Sequence, residues 1–592
     1  MSLVSQVRAI VGAIPRASAR RTARRYFSTI ADCRSAQQAT LRRLLELNAG
    51  SRFSRQHGLD RVRSPEEFCQ RLPVATFDDF RPWVEEVKAG RHDALLGDKN
   101  RLLMFSLSSG TTAGSKYIPI TEAFLRDYRR GWQVWGIGTL DAHPGVNSRQ
   151  IVQITSDYDR FRTAGGTPCG SISGLVSAMQ MRIVRSMYSI PLAVAKIADP
   201  VARYYAALRL SIADRDVGMV MTANPGTLIH LARLAEEHRE TLIRDIAEGT
   251  LSDQFPVSAD LRRMLAPQTS RRNPRRAREL AALAEFRPRD YWPETQVVAV
   301  WTGGTTSAYL PTVRRLYGNL PIRDHGLSAS EGRMTIPLEP GTSAGVLDLH
   351  SHYFEFIPER EYGSSSPVVL QAHELEEGQR YYILLTTSSG LYRYDICDVV
   401  RCTGFRGELP MCEFLHKGAH IGNLTGEKIT EYQVVNAVRR VVERSHVPVD
   451  QFTACPVWGD PPNYALLVEE KALPTSNEMH RFVEEVDREL QDQNCEYADK
   501  RMTGRLGLLH GKVVPTGFFS ELQIERLKRS GGTEEQYKHP SLIPNLDFWP
   551  QWVERPEVAA VPLEQSEAAD VLALPAAASS TLPMHPNRSR SA

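Results

Sequence analysis

Apolar positions recur at helical spacing through the first part of the chain, with Leu41, Leu44, Leu45 and Leu47 among them. This stretch is predicted to be helical up to about residue 95. Short apolar runs of strand length follow at 151–154, 217–222, 297–301, 353–357 and 382–387. After the second of these, Asn224-Pro225 opens a pattern predicted as one helix over 228–248, with Leu231, Leu234, Leu242 and Ile246 on one face. From Glu431 the pattern becomes helix 434–442, strand 465–468, helix 479–490 and strand 511–514, which reads as a small α/β unit with its own core. Between the two regimes, Gly418, Gly422 and Gly426 soften residues 417–428, a hinge candidate. The expected division is a large N-terminal part over 1–425, a small C-terminal α/β part over 426–548 and a disordered tail over 549–592. The tail is Ala-, Pro- and Ser-rich from about Val561, with too few large apolar residues to offset chain entropy.

Composition narrows the classes. A chain of 592 residues exceeds one ordinary domain, and 42% hydrophobic with 24% charged residues is the balance of a soluble globular protein. A net charge of +3 does not argue for a nucleic-acid partner. No apolar run reaches the roughly 18–20 residues of a membrane span, and a cytoplasmic protein is expected. Eight cysteines without a C-x-x-C pair suggest reduced thiols, and Cys397, Cys402 and Cys412 read as small buried residues. His350 and His352 lack an evident third metal ligand and read as structural. The Arg-rich stretch 261–289 has no interleaved aromatic before Phe286 and reads as a solvated, partly helical face. Before the first acid, Asp32, stand Arg8, Arg16, Arg20, Arg21, Arg24 and Arg25. That start fits an organelle transit peptide or, as expected here, a basic amphipathic helix on the body.

The chemistry concentrates in Ser106-Leu107-Ser108-Ser109-Gly110-Thr111-Thr112-Ala113-Gly114-Ser115-Lys116, directly after the apolar 102–105. Glycines allow a tight turn that brings N–H groups near an anion, hydroxyls add donors and Lys116 adds a charge, so this is a phosphate-cradle candidate. It is not a Walker A loop: Gly110 and Gly114 stand one residue too close, and Ser115 separates Gly114 from Lys116. Four further segments follow in order: Asp324-His325-Gly326-Leu327-Ser328-Ala329-Ser330-Glu331-Gly332, then Gly390-Leu391-Tyr392-Arg393-Tyr394-Asp395-Ile396-Cys397-Asp398-Val399-Val400, then Gly426-Glu427-Lys428, and finally Gln536-Tyr537-Lys538-His539-Pro540.

Together with Tyr353-Phe354-Glu355-Phe356 and with Asn494 and Tyr497 before Arg501, this order resembles the acyl acid amido synthetases, the Gretchen Hagen branch of the adenylate-forming enzymes, from about residue 40 to 545. The resemblance implies an α/β fold: a large adenylate-forming N-terminal domain of mixed sheets, flanking helices and a small β-barrel, then a small mobile α/β C-terminal domain. It implies ATP and Mg²⁺, a carboxylic acid and an amine, usually an amino acid, as substrates, and acyl-AMP as the intermediate. Ser108, Ser109, Gly110, Thr111 and Thr112 would hold phosphates with Lys116 as countercharge. Glu331 would hold Mg²⁺, Ser330 and Tyr353 would contact the nucleotide, and Asp398 would accept both ribose hydroxyls. Lys428 would lie near the hinge and the phosphates, and Lys538 would stabilise charge on the α-phosphate. Catalytic roles thus fall to Lys538 and Glu331.

Departures are visible too. Asp395 stands where the family commonly has arginine, Cys397 where it has glycine, Leu327 in place of a tyrosine and Ser541 in place of an arginine. An acyl-CoA ligase sharing the adenylation step, or a non-catalytic nucleotide-binding protein, are the competing readings.

Overall fold

The computed structural model describes residues 3–559, apart from 29, 31, 109–115, 363, 365, 418–420, 423, 425, 426, 428, 460, 473, 474, 503, 505 and 531–536. Three sheets of four or more strands build the large N-terminal body among the described residues. Four short strands, Gln150–Gln153, Val217–Met221, Val297–Ala299 and Ile322–Arg323, pair in parallel in that order. Val217–Met221 is buried throughout, as a strand covered by helices on both faces must be. The second sheet carries the hairpin Leu102–Ser108 and Lys116–Thr121. The third has seven strands, in the order Thr335–Ile336, Gly345–Leu347, Leu409–Lys417, Tyr394–Arg406, Arg380–Thr386, Tyr353–Pro358 and Leu370–Gln371, every pairing antiparallel.

The helix Cys33–Asn48 turns Leu41, Leu44 and Leu45 into the core, while Asp32 accepts the Ser35 N–H at its N-terminus. The segment predicted as one helix over 228–248 is two, Pro225–Glu237 and Arg239–Glu248. The break falls at His238, whose ring packs edge-on against Tyr205 and Phe255. Leu231, Leu234, Leu242 and Ile246 are all buried, so each short helix carries its own apolar stripe. The Arg-rich stretch departs from a solvated face at two positions. Arg276 is buried and donates to the Ile212 and Tyr291 carbonyls, and Arg262 donates to those of Leu251, Ser252, Phe255 and Val257. Both spend their guanidinium groups on main-chain carbonyls rather than on solvent.

The C-terminal part is a three-stranded sheet, Phe452–Val457, Asn463–Glu469 and His510–Val514, with helices on both faces. Alternation along the middle strand explains this. Leu466 and Val468 join the core under Glu431–Ser445 and Ser476–Gln493, while Ala465 and Leu467 join a separate core with Phe518, Phe519 and Trp552. The residues 549–559 are therefore not tail: Trp552, Val553 and Val558 are buried in that second core, and apolar side chains of that size repay the ordering of the chain. Residues 560–592 lie outside the described residues. Asn494, Tyr497 and Arg501 converge on structure: Arg501 and the Tyr497 hydroxyl both donate to Asp487, and Asn494 Oδ1 accepts the Tyr497 N–H.

Candidate active site

The site begins at the hairpin base, where Ser108 pairs with Lys116. Ser109, Gly110, Thr111 and Thr112 lie outside the described residues, and of Ser108 only the backbone is described. Lys116 holds its ammonium 5.6 Å from the centre of the Phe77 ring. Just before the loop, the buried Ser106 hydroxyl donates to Ser330 Oγ at 3.1 Å. Ser330 and Glu331 are the two-residue tip of a tight hairpin, Ser328–Ala329 against Gly332–Arg333. The tip is held against the body on every side. The Tyr394 hydroxyl donates to Glu331 Oε1 at 3.2 Å, and at Gly332 a methyl group would lie 2.1 Å from the His352 ring, so only glycine fits. Glu331 is only 7% exposed.

Asp324 ties this tip to the end of the parallel sheet. Its carboxylate accepts the Gly326 N–H at 2.5 Å, the Thr302 N–H at 2.5 Å and the Thr302 hydroxyl at 2.7 Å. Burial pushes its carboxyl up, while those hydrogen bonds pull the other way. Trp301, beside Thr302, stands at the carboxyl end of the strand Val297–Ala299, the edge where ligands bind in open parallel sheets. There Lys538 rests with its ammonium 4.9 Å from the Trp301 ring centre and 5.0 Å from that of Phe414.

The segment that carries Lys538 is anchored on both sides. Asn224 caps the helix Pro225–Glu237 through Oδ1, and its Nδ2 donates to the Tyr537 carbonyl at 2.6 Å. His539 is buried and donates through Nε2 to the Phe452 carbonyl at 3.0 Å, and burial lowers its pKa to about 4. Next, the buried Glu431 accepts the Ser541 and Leu542 N–H groups, and Ala454 pairs with residues 541–543 along the sheet edge. Lys538 itself is exposed, between these two anchors.

Asp398, 5% exposed, sits on the strand Tyr394–Arg406 opposite Lys417. Val400, just past a shift of register, pairs with Phe414. Asp398 and the aromatic bed of Lys538 therefore share one strand pair. Tyr353 goes elsewhere: its side chain is fully buried, edge-on to Phe68. Lys428 lies outside the described residues. Its neighbour Glu427 is fully buried and accepts the Tyr464 hydroxyl and the Leu424 N–H. His350 stands edge-on to Tyr26, and His352 packs on Gly332.

Three family models match successive parts of the chain: the GH3 family N-terminal domain over residues 24–322, the central domain over 345–417 and the C-terminal domain over 432–547. The chain belongs to the GH3 family. Its curated relatives include jasmonoyl–L-amino acid synthetase JAR6 of Nicotiana attenuata, 25% identical over 537 residues, covering 86% of this chain and 91% of that one. Indole-3-acetic acid-amido synthetase GH3.10 of Arabidopsis thaliana is also 25% identical, over 552 residues, covering 86% and 92%. Among solved structures, the GH3.15 acyl acid amido synthetase superposes with a TM-score of 0.77 at 22% identity, covering 88% and 93%. A 2-hydroxyisobutyryl-CoA ligase with its acyl-AMP superposes at 0.52 and 14% identity, covering 88% and 90%. The fold is that of the adenylate-forming enzymes.

Within this GH3 fold the departures at Asp395 and Cys397 have a local explanation. Cys397 has φ of 58°, left-handed backbone that favours glycine. Asp395 supports it by accepting the Cys397 N–H at 2.7 Å, and it accepts the Tyr362 hydroxyl at 2.7 Å. The thiol lies 3.7 Å from that hydroxyl, and Tyr362 stacks on Tyr382. Cys397 is thus half-buried, whereas Cys402 and Cys412 are fully buried as expected. The neighbouring motifs also meet: Arg393, likewise at positive φ, pairs with the buried Glu355 and donates to the Cys69 and Leu72 carbonyls. Sequence reading assigned no role to Ser106, Trp301, Asp324, Tyr394 or Phe414. Ser106, Asp324 and Tyr394 stand inside the sequence motifs, whereas Trp301 and Phe414 lie outside them.

Proposed function

We propose that this GH3 protein is an ATP-dependent acid–amino acid ligase of the cytoplasm. A carboxylate attacks the α-phosphorus of ATP and expels pyrophosphate; an amine then attacks the acyl-adenylate carbonyl, releasing AMP and leaving an amide. The observation that carries this reading is the seat of Lys538, over Trp301 at the carboxyl end of the parallel sheet and over Phe414 on the strand that pairs with that of Asp398. The names of the relatives, synthetases that join an acid to an amino acid, support the same class.

In this reading Ser108, Ser109, Gly110, Thr111 and Thr112, with Lys116 and Lys428, hold the phosphates, Asp398 holds the ribose and Ser330 lies along the base. Tyr353 is fully buried, so its contact with the nucleotide would require local repacking. Mg²⁺ keeps several water and phosphate ligands and needs only one or two carboxylates, so a single one suits it, and Glu331 supplies that. The ion would neutralise phosphate charge. Lys538 supplies positive charge where it develops at the α-phosphate. The division near residues 425 and 426 belongs to the same proposal, supported by the separate cores on either side, as does movement of the C-terminal part between the two half-reactions.

The test is acid-dependent ATP–pyrophosphate exchange over a broad acid panel, followed by mass spectrometry of products formed with amino acids or with CoA. Exchange with an amide product is expected. A thioester product would move the protein to the acyl-CoA ligases, and no exchange with any acid would favour a nucleotide-binding role.

A further inference from the structure

The outward face of the N-terminal helix is apolar at one end and basic at the other. The helices Leu3–Val11 and Ala13–Ser28 are joined through Gly12 without loss of helical hydrogen bonding, since Gly12 N–H bonds to the Arg8 carbonyl and Arg16 N–H to the Gly12 carbonyl. The inward side is occupied: Arg8 pairs with Asp214 and Asp216, and the buried Tyr26 donates to Asp348. The outward stripe follows helical spacing as Ile10, Ile14, Ala17, Arg21, Arg24 and Arg25, all exposed. Ile10 is 72% and Ile14 78% exposed.

A second element extends this surface. A methyl group at Gly12 would meet Met187 at 3.2 Å, so the helix junction lies on the segment that contains the short helix Arg182–Arg185. Arg185 donates to the Ala178 and Gln180 carbonyls and folds 178–185 into a knuckle. Met179, Met181 and Ile183 are exposed on it, with Arg182 between the last two. The acids nearest the helix, Asp141, Asp214 and Asp216, are paired with Arg20 and Arg8. Among the described residues Arg21, Arg24 and Arg182 have no carboxylate at ion-pair distance, so the surface is basic as well as apolar.

We propose that this surface docks the protein on an anionic lipid bilayer, with Ile10, Ile14, Met181 and Ile183 entering the headgroup boundary and Arg21, Arg24 and Arg182 facing lipid phosphates. Charge complementarity selects this occupant: an apolar tip flanked by unpaired guanidinium groups matches an anionic interface. Binding is peripheral, because no described helix is long and apolar enough to cross a membrane.

The test is co-sedimentation of the full chain with vesicles of phosphatidylcholine alone or mixed with phosphatidylglycerol, at low and high salt. Binding only to the mixed vesicles, weakened by salt, is expected. The pair Ile10→Ser with Ile14→Ser and the pair Arg21→Glu with Arg24→Glu should each weaken it by about tenfold or more. These side chains are exposed, so circular dichroism and melting should be unchanged. Absence of binding to mixed vesicles, or binding insensitive to both pairs, overturns the proposal. So does a dimer in sedimentation velocity that the isoleucine pair abolishes, which would assign the face to a second copy.

Discussion

The two charged halves of the candidate site are built in opposite ways. Glu331 stands on a hairpin tip that is buried, locked by Ser106, Tyr394 and the Gly332–His352 contact, and tied to the sheet by Asp324. Lys538 is exposed, with its ammonium over two aromatic faces. Its chain is fixed at the neighbouring positions, by Asn224 at Tyr537 and by Phe452 and Glu431 beyond. In the proposed mechanism, a carboxylate that holds a metal through both half-reactions gains from rigidity. A lysine needed in one of them gains from a seat it can leave, because each cation–π contact of an exposed ammonium contributes only about 0.5–1 kcal/mol.

The largest expected effect tests that contrast directly. Lys538→Ala should lower acid-dependent pyrophosphate exchange by about 100-fold or more, while amide formation from supplied acyl-AMP changes by less than about tenfold. Equal losses in both steps would make the lysine as fixed in its role as Glu331.

Each half also rests on a buried neutral histidine, which gives a pH comparison. Burial lowers His325, between Trp132 and Trp135, to about 3, and His539 to about 4, from 6.5. Above 6.5 neither state binds the proton. As the pH falls, the unfolded chain takes up protons the folded sites refuse, so stability is lost on going from neutral to acid. At pH 5 each histidine should contribute about 2 kcal/mol of that loss. Urea midpoints at pH 7 and pH 5 for the parent, His539→Gln and His325→Gln should show a shallower dependence in each variant. An unchanged slope would mean that the ring is not held neutral.

A smaller effect is expected from the seat itself. Trp301→Leu should reduce the adenylation rate about fivefold, consistent with loss of one cation–π contact, with amide formation from acyl-AMP unaffected. A variant that adenylates normally would leave Phe414 as sufficient support. The smallest expected change is at Cys397. Replacing it by glycine should relieve the left-handed backbone and raise stability by about 1 kcal/mol, read as a higher urea midpoint. A lower midpoint would show that the thiol's contact with Tyr362 outweighs the strain.

Much of the fold was legible because it is written in local periodicity. Alternation along Asn463–Glu469 and the helical stripes that follow identified the small α/β unit, since side-chain direction depends only on the residue's own strand or helix. Helix ends were harder. Nothing local to 228–248 stops one helix at His238, where the break accompanies ring contacts to Tyr205 and Phe255 from distant elements. The residues 549–559 were misjudged for the same reason, as the core that buries Trp552 is supplied by Cys455, Phe518 and Phe519.

For the site, the sequence by itself determined the chemical inventory: a hydroxyl- and glycine-rich loop, carboxylates at Glu331 and Asp398, a lysine at Lys538, and the order that marks the GH3 family. Residue type and order are enough for that, because the chemistry of a side chain travels with it. Only the tertiary structure decided that Tyr353 turns into the core, that Arg393 spends its charge on Glu355, and that Trp301 and Phe414 seat Lys538. Those outcomes depend on which strands pair and which faces are buried. Burial and pairing across long stretches of chain leave no local trace in the residues they bring together.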